Sequence, residues 1–186
     1  LHLCNRNLVK MDTNNYSKAK HDLLLDVCMA AKYEGESLIH YHEQYDATYP
    51  GSGSTMCTEL ARSFADIGDI VRGKDLYRGN TKEKNRRDEL EKNLKTIFKN
   101  IQENNSKLST LKDDQIREYW WTANRHTVWE AITCSDKLAN YKYFRPTCSD
   151  SGDGKGPSQA KNKCRCSDNP NTDPPTYFDY VPQYLR

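Results

Sequence analysis

An all-α fold, a disulfide-linked helical bundle with a long irregular loop, is what this sequence of 186 residues predicts. Three observations lead there. Apolar residues recur at spacings of three and four along four separate stretches, and nothing favours strands. Seven cysteines accompany a composition only 35% hydrophobic and 29% charged, so cross-links supplement a modest core. Residues 147–176 hold almost no apolar side chain and read as an exposed, mobile loop.

The first helix is expected from Asn15 to about Tyr49, where Leu23, Leu24, Val27, Ala30, Ala31, Leu38, Tyr41 and Tyr45 form a broad stripe interrupted near Glu34-Gly35. "YPGSGS" (49–54) then breaks the chain. A second helix runs from about Thr55 to Val71 or Arg72 on Met56, Leu60, Phe64, Ile67 and Val71, and Gly73 ends it. Gly68 lies within that stripe, where a missing side chain admits a neighbouring helix. The third helix carries Leu90, Leu94, Ile97, Phe98 and Ile101 on one face. Asp113 or Asp114 is expected to cap the fourth, which reaches about Cys134. Ile116, Trp120 and Ala123 share one of its strips; Trp121, Val128 and Ile132 extend it. Adjacent Trp120 and Trp121 point about 100° apart, so one is expected at the centre and the other against Tyr177, Phe178 or polypeptide beyond this segment. The aromatic tail "PTYFDYVPQYLR" is expected to dock on a neighbouring element.

Several motifs fail on their own chemistry. Gly68-x4-Gly73-Lys74 has the spacing of a phosphate loop, but Asp75 stands where a Ser or Thr hydroxyl is needed and a helix precedes it instead of a strand. "DSGDG" (150–154) opens like a calcium loop but places Gly152 at a ligand position. Cys164-Arg165-Cys166 and "HYHE" (His40 to Glu43) lack the ligand spacing of zinc. No metal or other cofactor is expected. His126 and the scattered Glu118 and Glu130 do not assemble a nucleophile with a base, so the chain reads as no enzyme. A net charge of +2 supplies no general field for nucleic acid, and no apolar run is long enough to insert in a membrane. The start carries no signal peptide, and the ends read as those of a piece of something longer.

"LARSFADIGDIVRGKDLY", "WWTANRHTVWEAITC", "YFRPTC", "CRC" and "PTYFDYVPQYLR", in this order, resemble the alpha-class Duffy-binding-like domain of the erythrocyte membrane protein one family, the malaria parasite's variant surface antigens. The resemblance spans essentially the whole chain. It implies the end of subdomain one and a first helical segment at 1–54, and the bundle core of subdomain two at 55–146. A variable cysteine-containing loop follows at 147–176, and 177–186 lead into a third subdomain. It also implies a Cys57–Cys148 disulfide; closing a loop of about ninety residues contributes on the order of 4 kcal/mol in the chain-entropy account. Cys4 is expected to have its partner upstream of this segment. Of the remaining four, Cys164–Cys166 would strain a very small ring. Cys28 is therefore expected to bond one loop cysteine and Cys134 the other.

Two functions follow from the resemblance. One is adhesion: binding of host cell-surface glycans, heparan sulfate and blood-group sugars among them, or of protein receptors, from the surface of the infected erythrocyte, with rosetting as a consequence. Sulfated glycans need clustered cations. Residues 72–99 hold ten Lys or Arg against five acids, with Lys82, Arg86, Arg87, Lys92 and Lys95 as glycan-binding candidates. The bland reading is a solvated helix face laced with Glu–Lys pairs. Lys161, Lys163 and Arg165 form a second, smaller patch on the loop. The other function is a structural scaffold that presents variable loops to antibodies, while adjacent domains of the same protein bind the receptor. "NYS" at Asn15 and "NNS" at Asn104 are glycosylation acceptors in pattern.

Overall fold

The computed structural model describes residues 4, 6–13, 18–48, 55–76, 79–148, 156–166 and 174–186. The "YPGSGS" break, Asn15, Arg78, "DSGDG" and the later part of the polar loop lie outside them. Five helices form the body: α1 (Arg6–Val9), α2 (Ala19–Thr48), α3 (Met56–Arg72), α4 (Thr81–Glu103) and α5 (Asp113–Ile132). Four single 3-10 turns, two of them in the tail, complete the regular structure. No strand occurs among the described residues; only two isolated β-bridges do, Cys148 with Ser158 and Asn162 with Arg165.

α2 does not break at Glu34-Gly35. That point is where it crosses α5. A Cβ on Gly35 would lie 2.1 Å from the Ile132 carbonyl oxygen, so glycine there permits backbone-to-helix approach. Glu34 is buried and accepts hydrogen bonds from the Ser63 hydroxyl and the Cys4 backbone N–H, both at 2.9 Å. α3 is the innermost helix. It ends in a Schellman motif: Gly73 takes the left-handed conformation at φ 70°, and the Lys74 N–H reaches the Asp69 carbonyl at 2.7 Å. Gly68 faces Trp121, whose ring would stand 2.7 Å from an added Cβ.

α4 starts on Asn80, whose side chain accepts from the Glu83 N–H, and buries Leu90, Leu94, Ile97, Phe98 and Ile101. At α5 the cap is Lys112, not an aspartate. Gln115 accepts the Lys112 N–H at 2.9 Å, which leaves Asp113 in the first turn, 2.8 Å from Arg117. Trp120 and Trp121 are both buried, on different neighbours: Trp120 edge-on to Phe98 of α4, Trp121 against Phe64 of α3. Ala123, expected beside Trp120, faces solvent. The polar loop also contributes more than expected, because Cys148, Ala160 and Cys164 are buried in the common core. The carbonyls and N–H groups of Cys148 and Cys164 are satisfied by neighbouring chain, which is what admits such backbone to an interior.

Candidate functional site

The five candidate cations of α4 do not form one patch. A helix turns about 100° per residue, so Lys82 and Arg86 lie on one flank, Lys92 and Lys95 on the outer face, and Arg87 near the buried side. Arg87 forms an ion pair with Asp75. Burial pulls its pKa below the ordinary value, against the raising charge of Asp66. Together with Gly73, Leu90 and Leu94 it lines a groove of about 530 Å³ between the end of α3 and α4. Lys95 stands 3.8 Å from Glu91, and Lys99 the same distance from Glu103. Lys92 borders a shallow groove with Asp88 and Glu91. Lys82, Arg86 and Lys92 make no ion pair among the described residues.

The loop patch divides in the same way. Lys163 Nζ donates to Asp136 at 2.8 Å and to the Cys134 carbonyl at 3.1 Å. That hydrogen bond and charge hold Asp136 below the usual carboxylate range. Arg165 donates to Thr133 Oγ1 and to the Glu130 carbonyl. Lys161 alone of the three is exposed.

A set of buried charges was missed in the sequence. Arg125 is held bidentately by Asp179, both bonds at 2.8 Å, and Trp121 Nε1 donates to the same carboxylate at 2.9 Å. Burial lowers the Arg125 pKa, yet the bond and charge of Asp179 outweigh it and the net shift is upward. Arg72 donates to Asp69 and to the Asp179 carbonyl, and Arg186 pairs with Asp66 and Asp69. Burial raises both of those carboxyls above their ordinary range, with the nearby arginines opposing it. These contacts dock the tail on α3 and α5. Arg117, 1% exposed, meets Glu91 with two bonds of 3.0 Å. The available signal was register: Arg125 follows Trp121 by four and precedes Val128 by three, so it occupies the apolar face.

The disulfides correct the expected pairing. Cys57 bonds Cys164, not Cys148, and Cys148 bonds Cys166. Cys28 and Cys134, expected to take the loop cysteines, are free thiols, as is Cys4. The cause is the turn at 162–165. It buries Cys164 beneath Trp129, whose Nε1 donates to the Cys164 carbonyl, at the start of α3. Cys166, two residues on, then faces Cys148, which the Ser158 bridge already holds nearby. Burial and the charge of Glu130 push the Cys28 thiol up to about 11. Among the described residues no three His, Cys, Asp or Glu side chains gather to hold a metal, and no helix is long and apolar enough to cross a membrane.

Comparison with known proteins agrees with this architecture. The family model described as the Duffy binding domain matches residues 1–186. Among solved structures, the NTS-DBL1(alpha-1) domain of Plasmodium falciparum membrane protein 1 (PfEMP1) from the varO strain is 37% identical, with TM-score 0.75, over 99% of this chain and 40% of that one. The NTS-DBL1-alpha and CIDR-gamma double domain of the same strain is 38% identical, TM-score 0.74, over 99% of this chain and 25% of that one. A PfEMP1 DBLbeta domain bound to ICAM-1 is 29% identical, TM-score 0.65, over 99% and 40%. This chain thus spans at most two fifths of these solved relatives. A comparison with curated proteins finds no match. With every residue inside the family model and the bundle superposing on alpha-class PfEMP1 domains, the chain belongs to the Duffy binding domain family.

Proposed function

We propose that this chain is part of an adhesion module displayed on the infected erythrocyte, where it binds host cell-surface receptors and is subject to antigenic variation. The observation that carries the reading is the match of 99% of the chain to PfEMP1 domains, one of them solved with ICAM-1 bound. The architecture supports it. A charge-locked and cross-linked core tolerates change on its surface loops, which is what a variable binding module requires. On this reading 55–146 supply the bundle core, 147–176 the variable surface, and 177–186 the connection onward. Lys82, Arg86 and Lys92 are the α4 cations open to a sulfated glycan.

The test is binding of this chain, alone and joined to the remainder of its domain, to uninfected erythrocytes, endothelial cells and a glycan panel. Saturable binding by either form is expected; binding by neither overturns the reading. A second reading, an antigenic scaffold whose neighbouring domain carries adhesion, is favoured by the engagement of Arg87 and Lys95 with carboxylates. Binding that appears only with the neighbouring domain present would select it.

A further inference from the structure

We propose that the disulfide joining the segments 138–148 and 156–166 exchanges within the chain: the free Cys134 thiol displaces Cys148 from Cys166, so the surface those segments build exists in two covalent forms. Such exchange is independent of the adhesion reading. In the step, the Cys134 thiolate attacks Cys166 Sγ, a Cys134–Cys166 bond forms, and the Cys148–Cys166 bond breaks. The electron pair leaves on Cys148 Sγ, which takes up a proton in place of the one that Cys134 gave to solvent. One thiol and one disulfide are present before and after, so no oxidant or reductant is consumed.

Access picks out the two cysteines. Of the four in disulfides, Cys57 and Cys164 are 0% exposed and Cys148 2%, whereas Cys166 is half-buried. Cys166 is therefore the one an attacking thiolate reaches from outside the core. Of the three thiols, Cys134 is the exposed one. Burial and the charge of Glu130 push Cys28 up to about 11, and burial and Glu34 raise Cys4 as well, so both stay protonated near neutrality. The fold then brings Cys134 and Cys166 to the same place. Arg165 Nε donates to Thr133 Oγ1 at 2.9 Å, and Lys163 Nζ donates to the Cys134 carbonyl at 3.1 Å. Thr133 precedes Cys134 and Arg165 precedes Cys166, so each cysteine lies one residue from the same hydrogen bond.

The two segments stay laced together when the bond moves. Cys148 and Ser158 exchange backbone bonds of 2.9 and 3.1 Å, the Cys164 N–H reaches the Tyr141 carbonyl at 3.1 Å, and the Lys163 N–H reaches the Leu138 carbonyl at 3.2 Å. Gln159 Nε2 donates to the Phe144 carbonyl at 2.7 Å. Cys57–Cys164, closed to attack, keeps the pair on α3. Loop closure does not decide strongly between the forms. Cys148 lies 18 residues from Cys166 and Cys134 lies 32, and loop length enters only as its logarithm. Exchange thus transfers the tie from 138–148 to the end of α5 without unfolding the surface. The exposed residues Lys142, Phe144 and Arg145 lose the covalent clamp at their end, and Cys148 becomes a thiol. One sequence displays this surface in two forms.

The experiment holds the full chain, folded with both disulfides formed, at mildly alkaline pH without added thiol. Samples are alkylated at intervals, quenched in acid and mapped as non-reduced peptides. A Cys134–Cys166 link and an equal amount of alkylated Cys148 should appear together over minutes to hours, the time scale of uncatalysed disulfide rearrangement. The rate should not change when the protein is diluted, because the step is internal. Cys134→Ser should reduce both signals to background, and Cys28→Ser should leave them at the parental level. Far-ultraviolet circular dichroism matching the parent shows that each variant is folded. A separate variant, Cys148→Ser, oxidised with glutathione disulfide, should form the Cys134–Cys166 bond directly; if it does not, Cys166 is out of reach and the proposal falls. Full alkylation of Cys134 with Cys148 always bonded also overturns it. So does a bond from Cys134 to Cys28, or one to a second copy whose yield grows with concentration.

Discussion

The side of the bundle where the tail docks and the laced surface of 138–148 and 156–166 use the same residue types to opposite ends. At the tail, Arg72 and Arg125 are each buried on a carboxylate, and their charge holds elements together. At the laced surface, Lys142, Arg145 and Lys161 stand exposed without one. A count of cations along the sequence treats the two alike. What separates a structural cation from one that can bind is whether its partner carboxylate comes from the same chain, and only the folded arrangement decides that.

The largest test of the contrast cuts the link between the regions. Cys57–Cys164 joins residues 107 apart and Cys148–Cys166 residues 18 apart, which in the chain-entropy account correspond to about 5 and about 3 kcal/mol. Cys57→Ser with Cys164→Ser should therefore lower stability to denaturant more than Cys148→Ser with Cys166→Ser. Chemical denaturation of both variants checks the order, and a reversed order would mean that the laced segments hold themselves without α3.

Next comes the partner rule itself. Asp179→Ala leaves the Arg125 guanidinium buried with no anion and Trp121 Nε1 without its acceptor, a cost of about 3–5 kcal/mol. Arg145→Ala on the laced surface should change stability by no more than about 0.5 kcal/mol. Urea unfolding of the two, side by side, measures the difference; comparable losses would break the comparison.

Glycines show the contrast on a smaller scale. Gly68→Ala drives a methyl to 2.7 Å from the Trp121 ring, overpacking worth about 1–3 kcal/mol. Gly156→Ala meets nothing within 4 Å, yet its φ of +77° is left-handed, so the cost is conformational and about 1 kcal/mol. Near-ultraviolet circular dichroism should register the first, through Trp121, and not the second.

Legibility in the sequence followed the same division. The helices were readable because Leu90, Leu94, Ile97, Phe98 and Ile101 repeat with the helical period and are all buried. So was the end of α3 at Gly73, since the requirement is local. The Glu34-Gly35 interruption was misjudged because a helix-breaking pair also serves a close helix crossing, and only Ile132, ninety-seven residues away, distinguishes the two. The cysteine pairing was beyond local reading for the same reason: Cys164 and Cys166 differ by which neighbour each faces, and Trp129 settles it. Of the α4 candidates, Arg87 was lost to Asp75, twelve positions before it in the chain.

Acid should distinguish the two regions with opposite signs, though by the smallest amounts. Burial holds Asp66 above the usual carboxylate range, while Lys163 holds Asp136 below it. For Asp66 the folded chain binds more protons than the unfolded one between about pH 4, the ordinary aspartate value, and its own raised pKa. Its contribution is thus most favourable below about pH 4 and declines as pH rises through that window. For Asp136 the favourable contribution is present above about pH 4 and is lost only as pH falls further, through its depressed value. Denaturation midpoints of the parent, Asp66→Asn and Asp136→Asn between neutral and acid pH check both. Relative to the parent, Asp66→Asn should be most stabilising near neutrality and lose that advantage on acidification. Asp136→Asn should be mildly destabilising near neutrality, with the deficit closing only in the acid limb. Matching pH profiles for the two variants would mean that a half-buried aspartate facing Arg186 and an exposed one facing Lys163 are electrostatically equivalent, and the division between core and surface charge would not hold.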